Sequence, residues 1–227
     1  MSSEFKSDQY DAIYASGGRS GIYELPYRYS GYFPLFKRVT RLLKASAATS
    51  VLEVGCGTGG LAHMVAETTQ IRYRSFDFSP VAVERARIRL NGSKDFFVGD
   101  ARLPESYAIP AEAIVCTEVL EHIQDDMDVI QNWPKGSYCI CSVPNFDADN
   151  HVRFFRNAEQ VRERYGSLLQ IDIIDQVKKP VIDDLSPTHF WRAVRWNRYR
   201  PRRLAELFGL GSFEQIGGWF IFCGRRI

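Results

Sequence analysis

At 227 residues, with 45% hydrophobic and 25% charged side chains, the chain has ordinary globular composition, which excludes a disordered or collagen-like polymer. Twenty-nine basic residues nearly cancel 27 acidic ones, and a formal charge of +2 is less basic than nucleic-acid enzymes usually carry. A chain this long can bury about 70% of its unfolded surface, so its core requires neither disulfides nor a metal. No apolar run approaches the roughly 20 residues needed to cross a bilayer. The start, Met1 to Asp8, is polar and lacks an apolar signal core, so a cytoplasmic location is expected. Cys56, Cys116, Cys139, Cys141 and Cys223 are odd in number, sit mostly in apolar runs and form no Cys-x-x-Cys pair. They fit buried free thiols in a reducing compartment.

In chain order, residues 1–48 come first and carry six of the eleven tyrosines, followed by a helix expected from Pro34 to about residue 47. Short apolar runs then alternate with amphipathic stretches, the pattern of βαβ units around a parallel sheet. Strands are expected at 50–55, 71–76, 95–98, 113–117, 137–143, 169–177 and 218–224. Leu61, Met64 and Val65 give one helical face; Val119, Leu120, Ile123, Met127 and Ile130 give another at a spacing near 3.6. Ser79-Pro80 supplies an N-cap and a first helical position, and Asn91-Gly92 ends that helix. Cys139 and Cys141 alternate onto one core face. Residues 179–208 fall outside the alternation, with a short helix expected at 202–208. This addition and the segment 1–48 are expected to cap the active site.

The most informative stretch is Val51-Leu52-Glu53-Val54-Gly55-Cys56-Gly57-Thr58-Gly59-Gly60. A buried strand runs into a glycine turn, where the backbone must bend tightly and admit a ligand. Glycine spacing alone would also satisfy a dinucleotide fingerprint. Glu53 argues otherwise, because a pyrophosphate over the turn disfavours a nearby carboxylate. A carboxylate suits S-adenosylmethionine, which carries a sulfonium and an ammonium and no phosphate.

These motifs resemble those of class I S-adenosylmethionine-dependent methyltransferases, nearest to the branch containing ubiquinone-pathway O-methyltransferases. The resemblance implies a Rossmann-like three-layer α/β sandwich with a seven-stranded, mainly parallel sheet and an antiparallel last strand. Glu53, Gly55, Cys56, Gly57 and Gly59 would form the cofactor turn. Asp77, followed by Phe78, would hold both ribose hydroxyls, which a carboxylate can accept together. Asp100 and Ala101 would meet the adenine. Cys116-Thr117-Glu118-Val119-Leu120-Glu121-His122-Ile123 resembles the fourth motif of that branch, placing Thr117 and Glu118 at the cofactor's methionine end.

Methyl transfer is an in-line displacement, so the enzyme must align the reactants and, for a hydroxyl acceptor, remove a proton. His122 is the candidate general base, since imidazole titrates near neutrality, with Glu118 beside it. The Asp/Asn-Pro-Pro-aromatic motif of amino-methylating enzymes and the Pro-Cys nucleophile of cytosine C5 enzymes are both absent. Glu118, Glu121 and His122 share one face if the segment is helical. Their spacing resembles the Mg²⁺ or Mn²⁺ ligand set of some ubiquinone-pathway enzymes and of plant small-RNA 3′-end methyltransferases, the latter adding a second histidine, for which His151 stands nearby. Metal is nevertheless not favoured.

Residues 189–203 hold six arginines and no acid. Arginines interleaved with aromatics bind phosphates and stack on bases or sugars. His189, Arg192 and Arg195, with His151, are therefore candidate contacts to an anionic acceptor. The alternative is an amphipathic helix whose Phe190, Val194 and tryptophans pack while the arginines stay solvated or pair with Asp183 and Asp184. The expected activity is S-adenosylmethionine-dependent O-methylation of a small molecule, sugar or glycan. The alternatives are a metal-assisted RNA methyltransferase and a non-catalytic cofactor-binding module.

Overall fold

The computed structural model describes residues 4–18 and 21–227. Residues 1–3 and 19–20, part of the expected 1–48 segment, lie outside the described residues. Seven strands form one sheet: β1 (Ser50–Val54), β2 (Arg72–Asp77), β3 (Phe96–Val98), β4 (Ala113–Cys116), β5 (Tyr138–Pro144), β6 (Leu169–Lys178) and β7 (Gly218–Arg226). Their order is β3-β2-β1-β4-β5-β7-β6, and β7 runs antiparallel to both of its neighbours. The expected strands and the antiparallel last strand all form. Fully buried parallel strands read as continuous apolar runs, which is why they stand out in the sequence.

Helices cover both faces. Leading into the sheet are α1 (Ser7–Ala15) and α2 (Phe33–Ser46); between its first strands come α3 (Gly60–Thr68) and α4 (Pro80–Arg89). Ser79 caps α4 as expected, its hydroxyl accepting from the Ala82 amide at 3.1 Å. Along β1 the side chains alternate, as strand geometry requires. Leu52 and Val54 join one core with Cys139, Cys141 and Trp133, whereas Val51 joins the other with Leu35, Val39 and Ile140. All five cysteines are free and buried. Burying each of the larger apolar side chains contributes about 1.5–3 kcal/mol.

One expected helix is broken. The apolar spacing from Val119 to Ile130 predicts a continuous helix, yet Glu118 has a left-handed φ of 56° and Leu120–His122 forms only a 3-10 turn. The chain is extended at Ile123, and α5 starts afresh at Asp126–Gln131. Polar anchoring overrides the periodicity. Fully buried Asp126 takes hydrogen bonds from Arg164 and from the Tyr165 hydroxyl (2.8 Å), both on or ending α6 (Ala158–Tyr165), and an ion pair from Arg153 at 3.1 Å. The C-terminal third adds α7 (Pro187–Trp196), α8 (Pro201–Leu207) and α9 (Phe213–Ile216) before β7. Among the described residues no helix is long and apolar enough to cross a membrane.

Candidate active site

β1 and β4 are adjacent at the centre of the sheet, and the strand order departs in opposite directions from them. Ligands bind at such a switch point, outside the carboxyl ends of the strands. Here the glycine turn leaves β1. Gly55 has φ 75°, and a Cβ there would come within 2.3 Å of the Val119 side chain. Only glycine fits that conformation beside that neighbour.

Two cavities of about 260 and 80 Å³ open over this edge. They share Tyr10, Tyr14, Gly55, Glu118 and His122 as lining. Glu53, Cys56, Gly57 and Thr117 border the larger; Asp77, Phe78, Asp100 and Ala101 border the smaller. Gly59 is the expected cofactor residue that lines neither. With φ 77° it is the N-cap of α3, where a Cβ would stand 3.1 Å from Ala86 of α4.

Glu53 and Asp77 at this edge are held out of water, whereas Asp100 is partly exposed. Glu53 accepts from the Ser75 hydroxyl at 2.9 Å, and burial pushes its carboxyl up to about 8. Asp77, at the end of β2, accepts from the amides of Gly57 (2.9 Å) and Ser79 (3.0 Å). Burial pushes Asp77 up to about 6, with those two amides opposing the rise. An ionised carboxylate has about four lone-pair sites, so capacity remains for two more donors. Asp100 accepts from the Arg102 amide at 2.9 Å and lies 3.4 Å from its guanidinium.

The N-terminal helix closes over the same edge. Tyr10 meets Phe78 and His122 edge-on, with centroids 5.2 and 5.9 Å apart, and Tyr14 meets Tyr23 at 5.0 Å. Ser7 donates to the Phe78 carbonyl at 3.2 Å, Asp11 accepts from the Ser79 hydroxyl, and Glu4 pairs with Arg102. The tyrosine-rich composition of this segment is the sequence signal for this roof. Phe5, which also lines the smaller cavity, and Asn150 and Lys179, which line the larger, carry no motif that reveals them.

His122 sits where the two cavities meet. Its Nδ1 lies 2.9 Å from the Asn150 carbonyl, so Nδ1 carries the proton and Nε2 is the basic nitrogen. Burial lowers the ring to about 4, so it is neutral at ordinary pH. Arg153 donates to the carbonyls of Leu120, Ile123 and Gln124, and the Val152 amide donates to the Glu121 carbonyl at 2.8 Å. These bonds bind the His122 turn to the loop carrying His151. The two imidazoles thus meet with centroids 5.0 Å apart.

Because the helix is broken, Glu118, Glu121 and His122 do not share a helical face. The Glu118 amide instead donates to the Ser142 hydroxyl at 3.1 Å. Tertiary contacts assemble a different set: Glu121, His122 and His151 each place a ligand atom within 4.8 Å of the others. Glu121 is fully buried and neither of its carboxyl oxygens has a hydrogen-bond partner. Burial, reinforced by the charge of Glu118, pushes its carboxyl well above the usual range, and burial raises Glu118 as well.

His189, Arg192 and Arg195 lie elsewhere, on α7, and line neither cavity. His189 pairs with Asp184 at 2.7 Å. Phe190 and Val194 are half-buried, but Trp191 and Trp196 face solvent, contrary to the packed arrangement of the amphipathic alternative.

Residues 52–135 match the family described as a methyltransferase domain. The ubiquinone biosynthesis O-methyltransferase of Vibrio cholerae is 29% identical over 118 residues, 49% of this chain and 48% of that protein. Phosphoethanolamine N-methyltransferase 1 of Triticum aestivum is 29% identical over 212 residues, covering 84% of this chain and 41% of that protein. The chain thus matches about half the length of these relatives or less. The structure of the N-methyltransferase NodS from Bradyrhizobium japonicum WM9, in complex with S-adenosylhomocysteine, superposes with a TM-score of 0.62 at 18% identity, over 96% of this chain and 97% of that one. The glycine turn, the strand order and the methyltransferase-domain match over residues 52–135 together support a class I S-adenosylmethionine-dependent methyltransferase.

Proposed function

We propose that the protein methylates a hydroxyl of a small, partly aromatic or sugar-like acceptor, using His122 as general base. The observation that carries this reading is the neutral, oriented imidazole of His122 at the junction of the two cavities. In the smaller cavity Asp77 takes the ribose hydroxyls and Phe78, Asp100 and Ala101 surround the adenine. Glu53, Cys56, Gly57 and Thr117 receive the methionine end, and the acceptor enters between Tyr23, Tyr32, Phe146 and Lys179. His151 and Asn150 border it. When bound, the cofactor's sulfonium would supply the methyl group to the acceptor oxygen, with a neutral thioether as the leaving group that keeps the electron pair of the carbon–sulfur bond. The hydroxyl proton passes to Nε2 of His122. Tyr10 and Tyr14 exclude water over the reacting atoms.

A second reading has its own observation, the unpartnered oxygens of buried Glu121 beside His122 and His151. These three residues fit a divalent cation by their donor set. Such an ion would polarise the acceptor oxygen, and a ring that ligates it could not also accept the proton. This reading keeps RNA among the acceptors.

The tests are direct. S-adenosylhomocysteine at 100 times its Kd should stabilise the protein by about 2.7 kcal/mol, read as a rise in Tm. Methyl transfer is then assayed on catechols, sugars, amines and oligoribonucleotides, with and without chelator. Transfer to hydroxyls that survives chelation supports the general-base reading. Chelator-sensitive transfer supports the cation, and transfer to amines alone sinks the hydroxyl assignment.

A further inference from the structure

We propose that the hairpin formed by α7 and α8 docks the protein on the surface of an anionic lipid bilayer. This proposal is independent of the acceptor chemistry above. It starts from a helix with no buried residue. In α7 the half-buried positions are Phe190, Ala193 and Val194, and they turn inward, with Phe190 meeting Phe208 edge-on at 5.5 Å. The opposite face carries Trp191 and Trp196 at 61% and 78% exposure, followed by Tyr199 at 82%. A folded chain seldom leaves two tryptophans so bare on one short helix without something to cover them.

The neighbours of those rings identify the cover. Trp191 and Trp196 line one shallow surface recess together with Arg192, Arg195 and Arg198. Indole, phenol and guanidinium are the side chains that favour the headgroup level of a bilayer, where one end is apolar and the other wet. Six arginines lie between residues 189 and 203 with no acid among them. Of these, Arg202 and Arg203 pair with Glu206. Beyond the hairpin, Phe208 and Leu210 extend the apolar edge at 55% and 65% exposure. Such a surface is complementary to anionic headgroups with shallow acyl contact.

The same charges weigh against a nucleic acid. Without residues 189–203 the chain holds 23 basic and 27 acidic residues, so the body's balance is acidic, unlike the broadly basic domain of a nucleic-acid enzyme. The hairpin is also tethered at both feet. The Leu185 amide donates to the Tyr29 carbonyl at 2.7 Å, and Lys178 donates to the carbonyls of Gly209 (3.0 Å) and Gly211 (2.7 Å). Ser30, which lines the larger cavity, bridges to Asp184 just before α7.

The test sediments the full chain with vesicles of phosphatidylcholine, with or without phosphatidylglycerol, and follows tryptophan emission. Trp133 and Trp219 are buried, so a blue shift reports Trp191 and Trp196. We expect partitioning onto the anionic vesicles at least about tenfold above neutral ones, weakening with salt. Replacing Arg192, Arg195 and Arg198 together by Ser should reduce it by about a hundredfold, near fivefold per arginine. The double variant Trp191→Ala, Trp196→Ala should lose the blue shift and about tenfold of the partitioning. Both variants should keep the parental Tm and its rise with S-adenosylhomocysteine, which separates lost docking from lost fold or lost cofactor. Equal partitioning on the two vesicle types, or unchanged binding by the arginine variant, overturns the proposal. Tighter binding to a single-stranded oligoribonucleotide than to the anionic vesicles overturns it in favour of RNA.

Discussion

Two regions of the molecule hold its charge in opposite ways. At the carboxyl edge of the sheet, Glu53, Asp77, Glu118 and Glu121 are withdrawn from water, and burial raises all four carboxyls. On the α7–α8 hairpin, arginines stand in solvent; the side chains of Arg202 and Arg203 are 79% and 66% exposed. Desolvated groups interact strongly with whatever enters beside them, because little water screens the contact. Solvated groups act at a distance and weaken with salt. Chemistry is therefore expected in the first region and recruitment in the second.

The largest expected effect tests the chemical region. His122→Ala removes the proposed base and should lower kcat by about 10²–10⁴-fold while leaving S-adenosylhomocysteine affinity nearly intact. If calorimetric affinity falls as steeply as turnover, His122 holds the cofactor and is not the base. Next comes Asp77→Ala, which takes away the proposed acceptor for two ribose hydroxyls and the observed acceptor of the Gly57 and Ser79 amides. Hydrogen bonds to charged groups are worth about 1.5–3 kcal/mol each, so affinity should drop about a hundredfold.

Glu53→Gln should have a smaller effect with a distinctive pH dependence. The Glu53 carboxyl is raised to about 8 in the fold, against 4.5 ordinarily. Between those values the folded state keeps a proton that the unfolded state has released. Stability without cofactor therefore falls as pH rises through this window, and levels off above about 8. The variant should match the parent in Tm near pH 4.5 and exceed it near pH 8. It should also bind cofactor about tenfold more weakly at pH 8, with a flatter pH profile, because the parent's carboxylate forms only as pH rises. Parallel pH profiles for the two proteins would remove Glu53 from the cofactor site.

The smallest effect concerns the exposed region. Trp191→Ala with Trp196→Ala should shift stability by no more than about 0.5 kcal/mol, since neither ring packs into the body. A larger loss in thermal unfolding would mean that the hairpin supports the fold, and the contrast between the two regions would dissolve.

Local physics made much of the body legible. The central strands β1, β4 and β5 and the last strand β7 are dense apolar runs, the cap at Ser79 and the stop at Asn91-Gly92 are short-range signals, and the Gly55 turn needs a conformation few other residues adopt. Glu53, Asp77 and Asp100 are recognisable because they sit within, at the end of and just after a strand at fixed offsets. Where tertiary contacts decided, the local signal pointed elsewhere. The apolar period from Val119 to Ile130 asks for a helix, but anchoring of Asp126 by Arg153, Arg164 and Tyr165 starts α5 only at that residue.

His151 lies 29 positions beyond His122, and Arg153 with the Val152–Glu121 bond brings the two rings together. No periodicity encodes that distance. The α7 sequence is equally consistent with packed or bare tryptophans, and only the inward turn of Phe190 and Val194 leaves Trp191 and Trp196 outside. The strands and the glycine turn were thus legible from the residues, because they follow from backbone geometry and runs of a few residues, and the cofactor class followed from Glu53 beside that turn and from the resemblance the motifs carry. Tertiary structure decided the His122–His151 pairing and the outward face of the hairpin, because both depend on which distant surfaces lose water together.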